Sequence, residues 1–389
     1  MHCPDCYAGL RRMIASLIAA FSCLIWIYLI AARGRFWRVA LPVIPTLKSA
    51  PAVSVIIPAR NEAEVIAGAV RSLLRQDYPG PLQIFVVDDH SSDPTAEIVR
   101  GIASADERIA LLQSAPLTSG WTGKMWALAQ GVEQAAKSAP EYFLFTDADI
   151  VHAPDSVASL VALAQAGNRD MVSMMVKLHC ESFAEHLLIP AFVFFFFMLY
   201  PPEWVNNLDF RTAAAAGGDI LIRSDALTRI GGIAAIRNEL IDDCALAREV
   251  KRGGPIWLGL TEKAWSIRPY DNFGVIGRMI SRNAFYQLRH SLWLLVGTIL
   301  GLAITYIAPP VAILFGSWAA FLGGAGWLMM SLAFWPILRF YSLSPLWAPA
   351  LPLIAAFYGG ATLHSAVQYW MGTGGEWKGR VQDSRAGVR

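Results

Sequence analysis

Two carboxylates one residue apart, Asp147 and Asp149, close the apolar run Tyr142-Phe-Leu-Phe-Thr. A run of that length, ended by polar turn residues, suits an inner strand of a parallel sheet. In open α/β sheets, ligands bind beyond the carboxyl ends of such strands. Two aspartates at that edge repel each other unless a cation lies between or beside them. Their hard oxygens favour Mg²⁺ or Mn²⁺, ions that commonly hold a diphosphate at the same time. A solvated, Asp-rich turn is the competing reading of this stretch taken alone.

Two earlier segments repeat the form. Leu82-Gln-Ile-Phe-Val-Val runs into Asp88-Asp89-His90-Ser-Ser-Asp93, where Asp93 stands before Pro-Thr in a helix-start pattern and reads as a cap. Val53-Ser-Val-Ile-Ile runs into Pro58-Ala-Arg60-Asn61-Glu62 and then a helical pattern. Three strands that each feed a helix imply βα units sharing one ligand-facing edge. Strands are expected near 53–57, 82–87, 109–113, 142–146 and 171–177, and helices near 62–75, 94–104, 123–137 and 154–166.

Other residues could complete a site at that edge. Pro58 through Glu62 and Asp88-Asp89 stand at the first two strand ends, where polar groups could grip the base and ribose of a nucleotide. Lys124 falls near a helix start, where charge and dipole act together on phosphate; an exposed surface lysine is the plainer reading. Asp242-Asp243 opens a helical pattern with Leu246 and Val250 on one face. Paired acids there stabilise a helix N-terminus, or one serves as a general base whose proton affinity its neighbour raises. Gly217-Gly218, ahead of Ile220-Leu-Ile-Arg223, let the backbone approach a ligand on an acceptor-side loop, or make a plain tight turn. His152 reads as a helix-flanking polar residue.

The chain around these residues is greasy. Of 389 residues 55% are hydrophobic and 16% charged, which points to membrane spans rather than an ordinary soluble enzyme. A net charge of +2 gives no call for nucleic acid. Residues 13–32 are charge-free and about long enough to cross a bilayer. They read as a retained anchor, since the apolar core is too long for a signal peptide and no small-x-small cleavage site follows. The region 292–371 carries Arg339 as its single charge and allows about three spans, near 292–313, 316–337 and 346–368, with Pro309-Pro310 kinking the first. More arginines follow the anchor (Arg33, Arg35, Arg38) than precede it (Arg11, Arg12), which places the central domain in the cytoplasm of a multi-pass inner (plasma) membrane protein.

The expected organisation is a tail 1–12, the anchor 13–32, one domain over 50–290, the membrane region 292–371 and a basic tail 372–389. Whether Trp377-Lys378-Gly379-Arg380 lies inside or outside stays open. Within the central domain, 187–200 reads as a helix in the membrane interface or lining a lipid entrance, with a buried core helix as the alternative. Cys3 and Cys6 have a metal or redox spacing but no second pair, and Cys180 and Cys244 read as ordinary thiols. Arg339 and His364 are the ionisable residues within the spans, too few for a transport pathway.

Taken in order, Pro58-Ala-Arg60-Asn61-Glu62, Val-Asp88-Asp89-His-Ser-Ser-Asp93, Gly123-Lys124, Asp147-Ala-Asp149 and Ile-Asp242-Asp243-Cys-Ala-Leu246 resemble family 2 glycosyltransferases. Trp121-Thr-Gly-Lys-Met-Trp126, the anchors at both ends and the terminal Trp-Lys-Gly-Arg resemble the hopene-associated glycosyltransferases, related to ceramide glucosyltransferases. The resemblance implies an α/β fold of the GT-A type, a Rossmann-like nucleotide-sugar-binding domain, with transmembrane helices at both termini. It implies a UDP-sugar donor and a lipid acceptor, hopanoid or ceramide-like. It assigns uridine recognition to Pro58, Arg60, Asn61, Glu62, Asp88 and Asp89, and the metal and diphosphate to Asp147 and Asp149. Asp243 takes the place of the catalytic base, with Asp242 where the family has glutamate. Direct displacement by one base inverts the anomeric centre.

The family's Gln/Arg-x-x-Arg-Trp motif departs here: Arg282 matches the arginine, but Asn283 stands where tryptophan is expected. That argues against a chain-elongating enzyme and leaves Arg282 a phosphate-contact candidate. The alternatives are a polyprenyl-phosphate glycosyltransferase, whose phosphate acceptor needs no strong base, and a non-processive enzyme of polysaccharide assembly. A membrane scaffold with a degenerate transferase domain conflicts with the full carboxylate set.

Overall fold

The structure, a computed structural model, describes residues 4–373, 376–377 and 380–381. Cys3, the side chain of Cys6, and Lys378-Gly379 of the basic tail lie outside the described residues. Contacts divide the chain into two units. A sheet unit comprises Ala40–His179 and Pro202–Pro269; a helical unit comprises the chain up to Val39, Cys180–Pro201 and the chain from Tyr270 through the last long helix. The expected continuous domain 50–290 is therefore interrupted. Residues 180–201 and 270–290 are apolar helix formers that bury their faces against other helices rather than against strands.

The sheet unit is built on β1 (Val53–Ala59), β2 (Leu82–Asp88), β3 (Ile109–Gln113), β4 (Tyr142–Thr146), β5 (Ile150–His152), β6 (Met171–Lys177), β7 (Asp219–Arg223) and β8 (Ile256–Ser266). All residues of β1 and β4 are buried, as continuous β-branched and aromatic runs require when helices cover both faces. Helices Ile66–Leu74 and Ser156–Ala166 cover one face, where Val55, Ile57, Leu144 and Leu221 meet Val70, Leu73 and Leu160. Helix Gly123–Ala135 covers the other. A Cβ at Gly131 would stand 2.5 Å from Ile56 Cγ2, so glycine lets this helix lie close on the sheet.

Strand order is β3-β2-β1-β4-β7-β6-β8-β5. The first four strands in this order are parallel, as expected for the 142–146 run, but β7 runs antiparallel to β4 and β6, and β5 antiparallel to β8, so the sheet as a whole is mixed. The β4–β5 link constrains the shape of this sheet. Four residue steps from Thr146 to Ile150 reach about 14 Å at most, whereas four strand spacings in a flat sheet need about 19 Å. The sheet must therefore curl. β8 bridges the curl, pairing its first half with β6 and its end with β5, with a register shift at Met175/Lys177. Asp147 and Asp149 occupy the tight link itself.

In the helical unit, four helices among the described residues are long and apolar enough to cross a membrane: Gly9–Ala32, Leu292–Ile313, Ser317–Phe340 and Pro345–Trp370. Pro309-Pro310 leaves its mark as a π-helical turn over Ala303–Ile307. Prolines cannot donate to the carbonyls four residues back, and the released Thr305 carbonyl accepts instead from Trp26 Nε1 at 2.9 Å and Ser22 Oγ at 3.4 Å. The segment expected at 187–200 is a helix, Phe183–Leu199, whose Leu188, Ile189, Val193 and Phe194 are buried within this unit. Ser182 and Glu185 form its capping box, and the buried Glu185 carboxylate also accepts from Tyr270 N.

Candidate active site

The cleft lies at the carboxyl edge of the sheet, where β1 and β4 part. Their ladder ends at Ile56↔Phe145, while β1 continues beside β2 through Pro58 and Ala59. Pro58 can occupy a central strand because it falls past the last rung to β4. Pro58, Lys124, Asp147, Gly217, Asp242 and Asp243 line the opening above a floor that includes Leu128, Phe145 and Ile220.

Lys124 is delivered by its helix start. Thr122 caps Gly123–Ala135 through Met125 N, and its own N–H donates to Arg237 O, 2.9 Å away. That contact ties the helix start to the turn leading into helix Asp242–Lys251. The ammonium then sits 3.0 Å from Asp147 Oδ1 and 3.3 Å from Asp242 Oδ2. Burial works against its charge, yet Asp147, then Asp242, hold it above the ordinary lysine range.

Asp243 faces the same opening. Its Oδ2 accepts from Gly217 N at 3.0 Å and its Oδ1 from Cys244 N at 2.7 Å. Burial, then the neighbouring charge of Asp242, pushes its carboxyl up to about 7 against the pull of Lys124. The protein thus holds a carboxylate near neutrality on a cleft wall, which is what proton abstraction at neutral pH requires. Neither Gly217 nor Gly218 has positive φ, so their use is space. A Cβ at Gly217 would stand 3.4 Å from Asp243 Oδ2, and one at Gly218 would press on Val176 at 3.2 Å.

Asp149 points elsewhere. Its Oδ2 accepts from Ser266 Oγ at 2.7 Å and from Arg268 Nε at 3.3 Å. The same guanidinium pairs through Nη2 with Glu62. The two aspartates that sequence treats as one pair are therefore matched to different cations, Asp147 to Lys124 and Asp149 to Arg268. Among the described residues no three His, Cys, Asp or Glu side chains converge as a preformed metal site.

The remaining donor-side candidates stitch loops together. Arg60 pairs with Asp89, Nη1 to Oδ2 3.6 Å, and Asp89 Oδ1 accepts from Ser114 Oγ. Asp88 accepts from Ser91 N and Gln113 Nε2. Asn61, at φ 52°, accepts from Ser92 N at 2.8 Å, a backbone region that asparagine tolerates. Asp93 accepts from Thr95 N and also from Ala63 N, joining its helix start to the β1 loop. Arg282 is exposed on helix Phe273–Gln287 of the helical unit.

Beneath the Asp147–Asp149 link, Thr146 Oγ1 donates to Gly218 O at 2.9 Å and meets His152 Nε2 at 3.0 Å. A carbonyl can only accept, so the hydroxyl proton is spent there and His152 must donate from Nε2. Its Nδ1 then accepts from Ser156 Oγ. Burial pushes His152 down to about 4, keeping this tautomer neutral. Thus His152, a plain polar residue by sequence, braces both cleft loops from below. Sequence reading also passes over Arg268. The alternation Ile256-x-Leu258-x-Leu260 would have marked the strand that delivers it.

The fold is that of the GT-A glycosyltransferases. A mannosyltransferase, PcManGT from Pyrobaculum calidifontis, solved in complex with GDP-Man and Mn²⁺, superposes with TM-score 0.55 over 92% of this chain and 98% of its own, at 20% identity, a likeness of fold alone. Within that class, residues 54–240 match the model for glycosyl transferase family 2. The beta-monoglucosyldiacylglycerol synthase of Trichormus variabilis is 34% identical over 122 residues, 30% of this chain and 24% of that protein. The probable glycosyltransferase YdaM of Bacillus subtilis is 28% identical over 211 residues, 53% of this chain and 46% of that protein. The chain spans about a quarter to a half of the length of these curated relatives.

Proposed function

We propose that the protein is a membrane-bound inverting glycosyltransferase that moves a sugar from a UDP-sugar to the hydroxyl of a lipid. The observation that carries this reading is the meeting of Asp147, Asp242 and Lys124, with Asp243 beside them, at the open carboxyl edge of the sheet. The name of the diacylglycerol-glucoside relative supports a lipid acceptor, as do the four helices long enough to cross a membrane. By resemblance the lipid is hopanoid or ceramide-like, at the cytoplasmic face of the plasma membrane.

In this reading Pro58, Arg60, Asn61, Glu62, Asp88 and Asp89 frame the nucleoside pocket, and Lys124 stands on the diphosphate side. Asp147 and Asp149 would hold Mg²⁺ or Mn²⁺. Asp147, half-exposed beside Lys124, and Asp149, enclosed beside Arg268, would share an ion that arrives with the diphosphate, which then supplies further oxygens. Such an ion neutralises charge on the leaving diphosphate. Asp243 takes the proton of the acceptor hydroxyl as its oxygen bonds to the anomeric carbon. The bond from that carbon to the diphosphate breaks on the opposite face, and UDP leaves. Asp242 keeps Asp243 basic, while Gly217 N orients it and leaves room for the hydroxyl. Arg282 is the candidate for a phosphate contact.

Lipid profiling of membranes carrying wild type or Asp243→Asn, supplied with labelled UDP-sugars, tests the reading. A labelled lipid glycoside formed with wild type alone supports it and names donor and acceptor together. Equal product from both proteins would remove Asp243 as base and favour a phosphate acceptor.

A further inference from the structure

Arg268 is the strongest group that the transfer chemistry leaves without a part. It lies two residues past the end of β8, and its surroundings are pinned from several sides. Ile267 N donates to Asp149 O at 3.0 Å, Arg268 N to Ser266 Oγ at 3.2 Å, and Ser266 Oγ to Asp149 Oδ2. Glu62 is fixed by its own N–H on Thr95 Oγ1 at 2.8 Å. Between these held backbones the guanidinium spans two nearly enclosed carboxylates, with side chains 10% exposed at Glu62 and 13% at Asp149, while its own side chain is 30% exposed.

This arrangement conflicts with a divalent cation seated on Asp149. The ion and the guanidinium would compete for one carboxylate as like charges in contact. Arginine has a second option that the ion creates. Its planar fork matches phosphate oxygens in a bidentate pair, better than a point charge can. An incoming diphosphate would therefore accept the guanidinium while its ion takes the released carboxylate.

We propose that Arg268 is a positioning latch. Without donor it holds Asp149 and Glu62; on arrival of a cation with a nucleoside diphosphate it yields Asp149 to the cation and turns to the diphosphate. This rests on the nucleotide-sugar reading above. Its consequence is that cation and nucleotide bind with strong positive coupling, and the cation alone binds poorly.

The test uses the full-length protein in detergent, with Mn²⁺ and UDP as probes and free Mn²⁺ read by electron paramagnetic resonance. Wild type binds Mn²⁺ weakly alone, and saturating UDP tightens it by about tenfold or more, within the usual range of coupling. Arg268→Gln frees Asp149, so Mn²⁺ alone binds several-fold tighter, roughly the size of a lost competing ion pair, and the UDP effect shrinks toward none. Arg268→Lys keeps the charge but not the fork: Mn²⁺ alone stays weak, and the UDP effect is still reduced. Variants that both keep wild-type Mn²⁺ affinity and full UDP coupling would overturn the latch. Wild type that binds no UDP with or without Mn²⁺ would instead overturn the donor reading beneath it.

Discussion

Asp219 heads β7 opposite Thr146, directly after the glycine loop, and is 1% exposed. Its Oδ1 has no hydrogen-bond partner among the described residues. Burial alone pushes its carboxyl up from 3.8 to about 8. In the unfolded chain the group ionises near 3.8, whereas in the fold it stays protonated until about 8. Its stabilising contribution is therefore full below pH 4 or so, drains as pH rises, and is gone above about 8. The slope is about 1.4 kcal/mol per pH unit inside that window. Asp219→Asn keeps size and neutrality but cannot ionise, so the variant lacks this slope. From pH 5 to 7 the wild type should lose about 2.7 kcal/mol relative to the variant, or roughly 5–10 °C in midpoint for a unit of this size. Thermal unfolding of both proteins in one detergent, followed by tryptophan fluorescence at pH 5, 6 and 7, measures it. Melting curves that shift in parallel for the two proteins would refute the buried, protonated Asp219.

The Asp243 base must be ionised to act, so kcat/KM should rise with pH through about 7 and level off above it, as a pH–rate profile will show. Asp243→Asn should lower turnover by about 10²–10⁴-fold while UDP binding, followed by calorimetry, is retained. Lys124→Met removes the cation that pulls Asp243 down and leaves Asp147 and Asp242 facing each other, so the acid limb of the same profile should move to higher pH. Gly131→Ala would gain about 1 kcal/mol by helix propensity alone, yet its methyl meets Ile56 and Val87, and the variant should be less stable by about 1–3 kcal/mol in urea unfolding.

Much of the fold was legible because it is local. The runs at 53–57, 82–87 and 142–146 announce buried strands through their own apolar continuity, and the Asp93-Pro-Thr start announces a helix. The apolar stretches beyond residue 292 likewise mark long helices without reference to anything else. The link from β4 to β5 was not legible. The residues Asp147-Ala148-Asp149 look the same whether the next strand lies adjacent or at the far edge, and only closure of a curled sheet sends the two carboxylates toward different partners.

The same division runs through the site. Sequence by itself determined which carboxylates end which strands, that Lys124 opens a helix and that Asp242-Asp243 open another, because turn and cap chemistry act within a few residues. Only the tertiary structure decided that Lys124 joins Asp147 to Asp242 and that Arg268 claims Asp149 and Glu62, contacts that cross 23, 118, 119 and 206 positions of chain. It also decided that Asp243 sits near neutrality rather than at an ordinary carboxylate value. A carboxyl's proton affinity depends on the water it has lost and the charges that surround it, and neither exists until the sheet has closed.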